Sequence, residues 1–115
     1  AGISWKIFDS PEVLITTVDA AMIRYSSIME GDPANRILFT APMGAPVGTG
    51  NGRYNLGLWV SYDEGESFNN PIQLTAGFSA YSAMTKLKDG SVGVLYEKEG
   101  STRISFLKFE ISDIE

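Results

Sequence analysis

Apolar positions in this chain fall into short runs dominated by β-branched and aromatic residues, and no window keeps a helical period. Gly and Pro interrupt most stretches long enough for a helix. Strand-like segments follow at close spacing: 13–15 (VLI), 20–27 (AAMIRYSS), 36–40 (RILFT), 54–61 (YNLGLWVS), 72–74 (IQL), 81–87 (YSAMTKL), 92–96 (VGVLY) and 103–111 (RISFLKFEI). In the last, Ile104, Phe106, Phe109 and Ile111 alternate and lose step only around Leu107-Lys108. Gly31-Asp32-Pro33, Asp63-Glu64-Gly65 and Lys88-Asp89-Gly90 carry turn chemistry between them. Many short strands with regular turns predict an all-β sandwich, barrel or propeller. Met22, Met84, Leu87, Leu95, Phe106 and Phe109 are expected in the core. Arg24, Arg36 and Arg103 are expected as charges on strand faces or rims.

The stretch 42–52 (PMGAPVGTGNG) fits neither a helix nor a central strand. It reads as a surface loop, or as a loop that lets backbone approach a ligand closely. No helix pattern follows its Gly-x-Gly spacing, so it is not a phosphate cradle.

Composition narrows the chemistry. The 115 residues hold 9 Lys+Arg and 14 Asp+Glu, a net charge of −5. That balance disfavours binding to nucleic acid or to an anionic membrane surface. No apolar run approaches the ~20 residues that cross a bilayer as a helix. Cys and His are both absent, which excludes thiolate metal sites and every Ser-His-Asp or Cys-His arrangement. Catalysis by this segment would have to use carboxylates, Tyr, Lys, Arg or hydroxyls. Asp32 with Glu30, and Asp113 with Glu115, lack the spacing of an EF-hand, and neither a metal nor a cofactor is expected.

Ser61-Tyr62-Asp63-Glu64-Gly65-Glu66-Ser67-Phe68 fits S-x-D-x-G-x-[ST]-[WF]. In such a sequence the carboxylate can accept backbone N–H bonds, Gly permits a positive φ, and the aromatic tucks beneath the turn. The segment resembles the Asp-box of sialidases and related β-propellers, with Ser61, Asp63, Gly65 and Phe68 as its structural residues. Ala1-Gly2-Ile3-Ser4-Trp5 matches the end of a second copy.

Residues 80–97 (AYSAMTKLKDGSVGVLYE) resemble the Y-S-x-[LM]-T-x-L-x-D-G-x-[IV]-G-x-L-Y-E segment of bacterial-type exo-α-sialidases. Residues 19–25 (DAAMIRY) resemble that family's Q-A-S-I-[IL]-R-Y strand, with Asp19 in the place of Gln. Residues 36–42 (RILFTAP) are similar to L-L-F-S-N-P, and 53–61 (RYNLGLWVS) to R-x-N-G-T-[VI]-R-[LM]-S, with Trp59 in place of the second Arg. The resemblance covers nearly the whole chain.

The resemblance implies part of a six-bladed β-propeller with four-stranded antiparallel blades, the chain lying in its C-terminal portion. Residues 1–15 would end one blade, with 6–15 as its outer strand. Residues 16–76 would form a complete blade from strands near 20–28, 36–41, 54–61 and 71–76, and 77–115 three strands of the last, near 81–87, 92–97 and 103–111. Its fourth strand would come from another segment. The implied activity is removal of terminal sialic acids from glycoconjugates with retention, through a tyrosyl-enzyme intermediate. The implied nucleophile is Tyr81. The anomeric carbon of sialic acid carries a carboxylate, which would repel an attacking carboxylate but not a phenol. Arg53 corresponds to the third of three arginines that grip the substrate carboxylate, and Glu97 to the residue that positions the first of them. The acid/base Asp, a Glu beside the Tyr and two arginines would come from an upstream portion. A non-catalytic Asp-box propeller and a trans-sialidase are the alternative readings. The implied partners are a sialylated glycan and the rest of the propeller, and the implied location is secreted, periplasmic or on the cell surface.

Overall fold

The computed structural model describes residues 4–100 and 102–115; Gly2, the glycine of the partial second Asp-box, lies outside them. Seven strands form two antiparallel sheets. The first has the order β1 (Ala21–Ser26), β2 (Arg36–Pro42), β3 (Tyr54–Ser61) and β4 (Ile72–Phe78). The second has the order β5 (Ser82–Lys86), β6 (Val92–Lys98) and β7 (Arg103–Phe109). Both are meanders in which each strand pairs with its neighbour in sequence. The expected all-β architecture is therefore present, a four-stranded meander followed by a three-stranded one.

The core lies between the two sheets. Leu56, Leu58 and Val60 on alternate positions of β3, with Tyr25 and Leu38, face Val92, Val94 and Tyr96 of β6 and Phe109 of β7. This is the period-two rule of a strand with one face on the core. The first sheet is buried on its other face too, where Ala41, Met43 and Trp59 pack with Val13, Ile15 and Phe68. Six successive residues, Leu56 to Ser61, are buried for that reason.

Residues 6–15, expected as a strand, carry none. A strand persists through ladder pairing, and no described residue pairs with this stretch. Instead it docks on the outer face of the first sheet. The Trp59 indole N–H donates to the Glu12 carbonyl (3.0 Å), and the Phe68 amide to the Glu12 carboxylate (2.8 Å).

Three residues expected in the core are exposed: Met22 by 57%, Leu95 by 47% and Phe106 by 56%. Met22 shares with Arg24 the face of β1 turned away from the second sheet, and Leu95 and Phe106 share the outer face of β5–β7. No described element covers those side chains. Of the three arginines, Arg24 and Arg103 are exposed and Arg36 is largely covered, and each pairs with a carboxylate: Arg24 with Glu64, Arg36 with Glu115 and Arg103 with Glu99.

Candidate active site

The Asp-box closes the β3–β4 connection. The Asp63 carboxylate accepts the Ser61 hydroxyl (2.9 Å), the Ser67 amide (2.9 Å) and the Ser67 hydroxyl (2.5 Å). The Gly65 amide donates to the Ser61 hydroxyl oxygen (2.9 Å), and Gly65 has φ +89°. These bonds, the Ser67 hydroxyl first, hold the Asp63 carboxyl below its ordinary range. Phe68 tucks beneath, its ring 6.3 Å from that of Phe39. All four motif residues are thus consumed by the turn.

The three residues singled out for chemistry meet at one end of the molecule, where the sheets join. Arg53 stands just before β3, Tyr81 just before β5, and Glu97 near the end of β6. The Arg53 guanidinium carbon lies 5.6 Å from the centroid of the Tyr81 ring, a cation–π distance. Among the described residues Arg53 forms no ion pair, and Tyr81 is 45% exposed.

Backbone bonds set this geometry. The Ser79 amide donates to the Arg53 carbonyl (3.0 Å), so the chain leaving β4 is fixed to the residue that enters β3. Ser79 and Ala80 are fully buried, and they carry the chain straight from the first sheet to Tyr81. The Ala80 amide then donates to the Glu97 carbonyl (3.3 Å), and the Glu97 amide to the Tyr81 carbonyl (3.1 Å). Behind Tyr81, the Ser82 and Thr40 hydroxyls lie 3.0 Å apart, joining β5 to β2.

The resemblance has Glu97 position an arginine supplied from outside this segment. Here its carboxylate accepts the Tyr81 amide (3.0 Å) with one oxygen, Oε1. Trp59, which stands where the resembled pattern has an arginine, is buried and holds the 4–20 segment instead. Asp32, Asp113 and Glu115 are each engaged elsewhere. Asp32 accepts the Ser27 amide (2.8 Å), Asp113 the Glu110 amide (3.0 Å), and Glu115 takes Arg36 and the Tyr62 hydroxyl (2.6 Å).

The 42–52 loop leads directly into Arg53 and is closely folded rather than open. The Gly48 and Gly50 amides both donate to the Met43 carbonyl (3.1 and 3.0 Å), and a Cβ on Gly44 would meet the Asn51 nitrogen at 2.3 Å. The close backbone approach suggested by its glycines is therefore made within the chain. Contacts from Thr16 to this loop carry no signature in the sequence, since a lone Thr 34 residues away has no periodic or motif context. A concavity of about 430 Å³ opens beside Tyr81, bounded by Ala83, Leu95, Ile104 and the Glu97 edge. Its mostly apolar walls suit a protein surface better than a sugar.

No protein-family model matches the chain. Two curated relatives, sialidases of two strains of Vibrio cholerae serotype O1, are each 40% identical over 106 residues, 87% of this chain. The chain spans 13% of the length of either. Among solved structures, a sialidase from Streptococcus pneumoniae superimposes with a TM-score of 0.63 at 22% identity, over 84% of this chain and 16% of the other. A leech intramolecular trans-sialidase gives 0.61 at 25% identity, over 84% and 16%. The intramolecular trans-sialidase of Ruminococcus gnavus gives 0.59 at 23% identity, over 84% and 22%. In sequence the chain is similar to sialidases over a small part of their length, and its fold is shared with the solved sialidase and trans-sialidases.

Proposed function

We propose that this segment is the C-terminal part of an exo-α-sialidase, contributing two blades to a six-bladed propeller and one side of its sugar site. The observation that carries this reading is the stacking of an unpaired guanidinium, Arg53, on an exposed phenol ring, Tyr81, at 5.6 Å. Arg53 would take the substrate carboxylate through its planar fork. The Tyr81 oxygen would attack the anomeric carbon as the bond to the leaving oxygen breaks. That oxygen would receive a proton from an acid elsewhere in the polypeptide, and the phenol proton would pass to a neighbouring carboxylate. Water, deprotonated by the same acid/base group, would then displace the tyrosine, and two inversions restore the original configuration. The substrate would be a glycan ending in sialic acid, encountered outside the cell, in the periplasm or at the cell surface. The remainder of the propeller would supply the other catalytic groups and a strand for the free edge of β7.

The test is Tyr81→Phe in the complete parent polypeptide. Turnover of a fluorogenic sialoside should fall about a hundredfold or more, while affinity for a sialic acid analogue is kept. Full turnover in the variant would refute the assignment, and a parent protein that binds but never turns over would favour the non-catalytic reading. Transfer to the sugar itself is the second reading, favoured by the likeness to two intramolecular trans-sialidases. Product analysis separates the two, since hydrolysis releases free sialic acid and intramolecular transfer an anhydro sugar.

A further inference from the structure

The glycine-rich loop ends on Arg53; its own backbone pairs and the Asn55 side-chain amide on the Gly44 carbonyl (2.8 Å) close its neck from within, and Thr16 ties it from outside. The Thr16 amide donates to the Pro42 carbonyl (3.3 Å), where the loop begins. The Thr16 hydroxyl reaches the Gly50 carbonyl (3.0 Å) and also the Gly52 carbonyl, in the peptide directly before Arg53. One residue therefore ties both ends of the loop. The fit around it is close: a Cβ on Gly50 would lie 3.0 Å from the Ile15 carbonyl oxygen, and one on Gly52 3.0 Å from the Tyr54 ring. Thr16 itself is fixed by its neighbours, because Ile15 and Val13 pack beneath the first sheet with Trp59 and Met43.

Besides Thr16, Arg53 is oriented by its stacking on Tyr81 (5.6 Å) and by the Tyr54 amide, which also donates to the Gly52 carbonyl (3.1 Å). Its side chain is exposed, its carbonyl is held by the Ser79 amide, and its approach through Gly50 and Gly52 runs through two residues at positive φ. Glycines at positive φ leave the backbone free to swing unless something outside the loop restrains it. Thr16 is such a restraint.

We infer that Thr16 is a positioning residue for Arg53: its hydroxyl fixes the peptide before the arginine and so holds the guanidinium where a ligand carboxylate would meet it. This rests on the reading of Arg53 given above. It assigns Thr16 no contact with substrate and no part in bond breaking. An arginine held in place meets its carboxylate without first losing loop freedom, so the effect belongs to binding.

The experiment uses the complete parent polypeptide and 2-deoxy-2,3-didehydro-N-acetylneuraminic acid, whose carboxylate probes the arginine site directly. Thr16→Val keeps the shape and removes the donor, Thr16→Ser restores the donor, and Arg53→Ala sets the scale. Thr16→Val should weaken binding about tenfold, the loss of one hydrogen bond's worth of ordering, and raise KM similarly with kcat little changed. Thr16→Ser should bind like the parent, and near-UV circular dichroism should be the same for all. Arg53→Ala that weakens binding while Thr16→Val does not would overturn the inference alone. Arg53→Ala without effect would instead overturn the reading of Arg53. Weakening by Thr16→Val that Thr16→Ser does not rescue would mark a packing defect and also overturn the inference.

Discussion

Asp63 and Asp89 show how a carboxylate at a turn serves the fold. Asp89 accepts the Ser91 hydroxyl (2.5 Å) and amide (3.0 Å), with Lys108 at 3.2 Å. The Ser91 bonds, then Lys108, push its carboxyl down to about 2. A depressed folded-state pKa stabilises the fold fully above the unfolded value of about 3.9, and the contribution is lost as pH falls through about 2. Asp89→Asn should lower stability at neutral pH and flatten that acid limb, measured by thermal unfolding across pH. A limb unchanged in slope would refute the assignment. At this scale the sequence was most readable, because Asp-x-Gly turns are local and their partners lie within a few residues. Glu97 was less readable. Its bond to the Tyr81 amide spans two strands, and no spacing rule reports which of several donors a carboxylate will choose.

Among the elements, the strands fall within two residues of the stretches expected from the pattern, except β4, which begins at Ile72 as expected but runs four residues past position 74 to Phe78. What alternation could not assign was burial. β3 is covered on both faces, whereas β7 turns Leu107 and Phe109 inward and leaves Ile104 and Phe106 outside. A strand apolar on both faces is legible as such, but which face finds a partner depends on what lies opposite. Residues 6–15 make the same point from the other side, since a strand-like composition without a ladder partner yields a docked extended segment. Phe106 also has local work, as its ring lies over Gly93, where a Cβ would meet it at 2.6 Å. Leu58 is fully buried between the sheets. Leu58→Ala should cost about 2–5 kcal/mol through lost burial and a residual cavity. Urea unfolding should show this as a lower midpoint at constant slope, and a midpoint within error of the parent would argue against the two-sheet core.

For the whole molecule, the decisive features are the incomplete ones. Leu95, Ile104 and Phe106 present an apolar outer face, and β7 leaves an unpaired edge. The candidate site joins one guanidinium, Arg53, one phenol, Tyr81, and one carboxylate, Glu97, whose Oε1 is taken by the Tyr81 amide. The isolated 115 residues should therefore leave a fluorogenic sialoside uncleaved, even at high protein concentration; measurable hydrolysis by the purified segment would refute the shared-site reading. Arg53 and Tyr81 were legible as candidates, and as members of one site, through motif resemblance; alternation alone did not bring them together. Their meeting depends on the order of strands and on a crossing between sheets that composition does not encode.

The buried Ser79-Ala80 step has a consequence for how such a protein can vary. Because the span from the β4 ladder to the phenol contains no slack, adding or deleting one residue there would rotate Tyr81 to the opposite side of its strand and carry it away from the guanidinium. Length at that crossing is accordingly under tighter restraint than the identity of the residues that fill it. Homologues that keep the chemistry should tolerate other small side chains at 79 and 80, while those with an insertion there should have abandoned it.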